Sequence, residues 1–74
     1  LDIYPNPNNG QFVIANSDLI SNVTITDVQG KIVYTVNNVN LNKVNVDVTD
    51  LEKGMYMINV KTINGNITES VIVQ

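Results

Sequence analysis

The chain has 74 residues, a net charge of −3, 43% hydrophobic and 15% charged residues, and neither cysteine nor histidine. That length allows one small domain, and the dominance of Val and Ile over charge argues against disorder. The basic residues are isolated lysines, Lys31, Lys43, Lys53 and Lys61, so no basic face is offered to nucleic acid or to an anionic membrane. No apolar run approaches the ~20 residues of a membrane-spanning helix, and no direct membrane insertion is expected.

In chain order, Leu1 and Ile3 suggest a first short strand, stopped by the prolines of the 5–10 segment, which cannot donate to a ladder. Phe12 and Ile14 mark a second strand. Residues 22–27 alternate with Val23 and Ile25 on one face. Asp27 to Gly30 reads as a hairpin turn, with the Asp carboxylate holding the turn backbone and Gly supplying the left-handed residue. In 31–36 the alternation sets Ile32, Tyr34 and Val36 against Val33 and Thr35. Val44, Val46 and Val48 form the next inward set, and Tyr56, Ile58, Val60 and Thr62 the one after it, opposite Met55, Met57, Asn59 and Lys61. Asn64-Gly65 is a two-residue hairpin signal before a last strand over 67–73. The pattern predicts an all-β, immunoglobulin-like Greek-key sandwich of about seven short antiparallel strands, forming one domain over 1–74. Within Leu51-x-x-Gly54-x-Tyr56, the tyrosine is expected to pack its ring in the core and tie its hydroxyl to nearby backbone. Gly54 is expected to relieve crowding there. Leu1, in place of an initiator methionine, reads as a cut inside a longer protein.

Chemistry-bearing residues are sparse. Without histidine or cysteine the usual general base, nucleophilic thiol and soft metal ligands are missing. Ser17, Ser21 and Ser70 have no activating base, and the acids are scattered. No catalytic residue, cofactor or metal site is expected. Asp47, Asp50 and Glu52 fall near one turn and bring calcium to mind, but no EF-hand spacing is present and a solvated turn explains them better. A glycan-binding face would need exposed aromatics, and only Tyr4 and Tyr34 are candidates once Phe12 and Tyr56 are given to the core.

Three signatures stand in a fixed order: Tyr4-Pro5-Asn6-Pro7-x-x-Gly10, Ile25-Thr26-Asp27-x-x-Gly30-Lys31, and Val46-Asp47-Val48-Thr49-x-Leu51-x-x-Gly54-x-Tyr56, with Val71-Ile72-Val73 closing the chain. Together they resemble the type A C-terminal sorting domain of the type IX (Por) secretion system of Bacteroidetes, over essentially the whole chain. The resemblance implies a secretion signal at the end of a larger protein. It implies partners too: translocon components, a sortase-like protease that removes the domain, and a covalently linked upstream cargo. It implies a cargo that passes through the periplasm and outer membrane to be secreted or displayed at the cell surface, often on an anionic lipopolysaccharide. The residues it marks for translocon recognition are Pro5, Asn6, Pro7, Gly10, Asp27, Gly30, Lys31, Leu51, Gly54, Tyr56, Val71, Ile72 and Val73.

Family members often carry lysines near the final strand, whereas this chain has Thr68-Glu69-Ser70 and ends in Gln74. An apolar or backbone-mediated mode of recognition is therefore expected. The final strand, 67–73, is expected to lie at a sheet edge and to offer unpaired backbone groups for strand addition. Two other readings compete: an accessory carbohydrate-binding or adhesive β-sandwich module, and a passive spacer.

Overall fold

The computed structural model describes all residues, 1–74. Its six strands are β1 (Asp2–Tyr4), β2 (Gln11–Thr26), β3 (Ile32–Val36), β4 (Leu41–Asp47), β5 (Gly54–Thr62) and β6 (Gly65–Val73), every pairing between them antiparallel. Sixteen residues of straight strand would span about 53 Å, yet the longest dimension of the molecule is 31 Å. β2 therefore doubles back. Residues 11–15 pair with β1 on one side and β4 on the other, while residues 22–26 pair with β3 and β5, and β5 pairs onward with β6. One strand thus serves both layers of an immunoglobulin-like sandwich. The expected count of about seven becomes six because the Phe12–Ile14 and 22–27 segments are two halves of one strand.

The bend also reverses the side-chain alternation. Phe12, Ile14 and Ile20 point inward at even positions, whereas Val23 and Ile25 do so at odd ones. The pairing explains the switch, since Ile20 faces Thr62 and Asn22 faces Lys61, leaving Ser21 as an inserted residue. Such a bulge shifts every later side chain to the opposite face. Val33 is a second inserted residue, lying between the Ile25–Tyr34 and Thr26–Ile32 pairs. It breaks the expected Ile32, Tyr34, Val36 face: Ile32 is turned to solvent, while Tyr34 and Val36 pack against the core.

The core is the sum of these inward sets. In the first layer Val44 and Val46 pair with Ile14 and Phe12, and Val48 joins the same cluster, while Ile58, Val60, Val71 and Val73 join Val23 and Ile25 in the second. Each fully buried isoleucine (Ile14, Ile20, Ile25 and Ile58) stabilises the fold by about 2 kcal/mol. Asparagine side chains act where the ladders fail: Nδ2 of Asn42 donates to the carbonyls of Asn16 and Ser17 at the bend. No buried side-chain polar atom lacks a partner.

Strand directions give the sandwich two distinct ends. The 5–10, 27–31 and 48–53 connections and the end of β6 share one end; the bend of β2, the 37–40 loop and the 63–64 turn share the other. β1 begins beside Ala15, so Leu1 lies toward that second end.

Candidate functional site

The 5–10 segment lies against the last strand. Asn6 acts there as a short imitation of a strand: its Oδ1 accepts from Ile72 N at 3.0 Å and its Nδ2 donates to Ser70 O at 3.3 Å. Asn8 continues the pairing with its own backbone, N–H to Ile72 O at 3.0 Å and carbonyl from Gln74 N at 2.7 Å. Both X-Pro bonds, before Pro5 and before Pro7, are cis. The buried Asn8 side chain locks the segment, donating to Pro5 O and accepting from Gly10 N. Gly10 has φ +106°, and a Cβ there would sit 2.8 Å from Thr49 Cα, so only glycine fits. Its carbonyl accepts from Val48 N at 2.7 Å, which ties this segment to the loop before β5.

β6 is an edge strand, as expected, but this arrangement closes the edge along its final residues. The Ser70 carbonyl, both backbone groups of Ile72 and the Gln74 N–H are taken by Asn6 and Asn8. Further back, Glu69 occupies a position of inward parity and is exposed. A charge at such a position, like a covering loop, is a device that discourages strand addition.

The 27–31 turn forms as its sequence predicts. Oδ1 of Asp27 accepts from the N–H groups of Gln29 at 2.9 Å and Lys31 at 3.0 Å, while Asp27 O accepts from Gly30 N. Gly30 has φ +85°, the left-handed conformation that closes such a turn. Lys31 is exposed. In the third signature the Tyr56 ring is buried and its hydroxyl donates to Glu52 O, four residues upstream. Leu51 packs at the margin of the core. Gly54 is a correction: a Cβ added there would meet open space, so it relieves no crowding.

Asp47, before this corner, is exposed, and its carboxyl is held below the usual range. The Thr49 N–H is the main cause, followed by the Thr49 hydroxyl and the Gln11 amide. That carboxylate is engaged by its own loop and by Gln11 of β2, and no group of three acidic side chains is placed to hold a metal ion.

The three signatures therefore share one end. A shallow open cleft of about 300 Å³ lies between the 27–29 and 52–56 segments and is lined by both motifs. Tyr56, Val71 and Val73 are buried and hold the fold. Pro5, Asn6, Pro7, Gly30, Lys31, Gly54 and Ile72 are the exposed members of the set. Sequence reading passed over Asn8, whose burial beside two prolines nothing local announces, and Met55, which looked like one face of a strand. Among aromatics, Tyr4 is exposed on the first layer while Tyr34 packs against the core from the second. They do not form a joint platform.

The sequence profile of the family described as "Secretion system C-terminal sorting domain" matches residues 2–74. The chain belongs to that family. A comparison with curated proteins found none that matches. As a type IX sorting domain the chain marks an attached cargo for export across the outer membrane, to the cell surface or beyond, and its family is not an enzyme family. The doubling back of β2 puts the first signature, which precedes it, and the second, which follows it, at the same end of this sorting domain.

Proposed function

We propose that this sorting domain is read by translocon components through the end of the sandwich that carries the three signatures, and is then removed by a sortase-like protease. The observation that carries this reading is spatial. Three motifs separated in sequence converge on one end, while Leu1, where an upstream cargo would join, lies toward the other. A cargo attached there leaves the motif end open to a partner. The exposed motif residues are the contact set, and the buried ones set its shape. The route runs through the periplasm, with the cargo released or retained at the surface after cleavage.

The test is export of a fluorescent reporter fused to residues 1–74 in a bacterium with a working type IX system. The reporter is expected at the surface or in the medium, separated from the domain. Retention of a folded fusion in the periplasm would overturn the reading.

A further inference from the structure

The outer face of the second layer changes character along its length. Toward Leu1 its cross-strand rows are polar, as in the Thr24–Asn59–Thr68 row. Toward the motif end they become apolar. Met55 and Ile72 face each other directly across β5 and β6, 48% and 44% exposed. Met57 lies beside them, and Thr26 alone separates it from Ile32, which is 59% exposed. Val28, 70% exposed on the 27–31 turn, lines the same cleft as Met55. Five apolar side chains thus make one strip, interrupted by Thr26 and bordered by the charged residues of the cleft.

A cluster of exposed apolar side chains at one end of a small domain marks a contact surface, and methionine adapts its shape to varied partners. The charges beside Met55 are Asp27, Glu52 and Lys53, of mixed sign, so the margin supplies little net field for steering. The strip is far smaller than the roughly 20–30 residues per side of a stable protein interface, which disfavours a second copy of the chain. An upstream cargo leaves from the opposite end. We infer that the strip of Val28, Ile32, Met55, Met57 and Ile72 docks an apolar segment of a protein of the export machinery, in a transient and salt-insensitive contact. This rests on the sorting reading above and names the surface through which it operates.

The test compares three reporter fusions: wild type, the double variant Met55→Thr with Ile72→Thr, and Ile63→Thr, which removes a still more exposed apolar side chain at the far end. Threonine suits a strand, and thermal melts and amide exchange check the fold of each isolated domain. The expected result is a drop of at least about tenfold in export for the double variant and none for Ile63→Thr, a ratio that corresponds to the ~1.4 kcal/mol per decade of a binding constant. Equal export of the wild type and a folded double variant overturns the strip while leaving the sorting reading intact. Failure of the wild-type fusion overturns both. Should the double variant not fold, Met55→Gln alone takes its place, under the same criterion. Sedimentation of the isolated domain supplies a further arm: a dimer abolished by the double substitution would reassign the strip to self-association, and strip-dependent binding to phospholipid vesicles would reassign it to a membrane surface.

Discussion

The two ends of the sandwich are built differently. At the motif end, backbone is held by dedicated side chains: Asn6 and Asn8 on β6, Asp27 within its turn, Tyr56 on Glu52 and Asp47 on Thr49. At the far end the chain is also bonded, with Val39 N donating to Ser21 O and Nδ2 of Asn64 donating to Asp18. Yet Ile63 stands 90% exposed there, and Asn38 and Asn40 take left-handed conformations that asparagine tolerates readily. Both ends are tied across segments, by Asn6 and Asn8 at one and by Asn64 at the other. The motif end adds side chains that hold their own turns, Asp27, Asp47 and Tyr56, whereas the far end alone leaves an isoleucine almost wholly in solvent.

The largest break in that contrast is expected from Gly10→Ala. It forces both a strained φ and a backbone clash with Thr49, and should cost about 2–4 kcal/mol in urea unfolding. A cost below 1 kcal/mol would mean that the 5–10 segment yields easily. Asn6→Ala removes two bonds from the outer edge of β6 and should cost about 1 kcal/mol. Its sharper signature is faster hydrogen exchange at the Ile72 amide, with the core amides of β5 unchanged. Asp47 gives a smaller, pH-dependent effect. Its carboxyl is more acidic in the folded state, so its contribution is complete above the ordinary value of 3.8 and is lost as pH falls through the lowered one. Acid titration of stability should therefore flatten below pH 4 in Asp47→Asn relative to wild type. The smallest effect belongs to the far end, where Ile63→Asn should change stability by no more than about 0.5 kcal/mol.

Much of the fold is legible in the sequence because two-residue alternation survives wherever a strand is regular. Val44, Val46 and Val48, and Tyr56, Ile58, Val60 and Thr62, are buried as their spacing predicts. What alternation cannot show is its own interruption. Ser21 and Val33 are ordinary strand residues, and nothing near them marks the inserted position that turns Val23 inward and Ile32 outward. The continuity of β2 is hidden for the same reason, since its polar middle reads as a loop. At the candidate site, the Asp27 turn and the Tyr56 corner are local and readable. The cover over β6 is not, because Asn6 meets Ile72 from 66 residues away and an asparagine standing in for a strand has no periodicity.

That closure has a consequence in time. Synthesis produces Asn6 and Asn8 more than 60 residues before the partners they hold on β6, Ser70, Ile72 and Gln74. During translation the latch has nothing to grip until residues 70–74 have been made, while domains generally fold in order from the amino end. A cargo upstream thus has its own chance to fold first. A product truncated before Ser70 could not make these bonds at all, so a closed latch certifies that synthesis passed through β6.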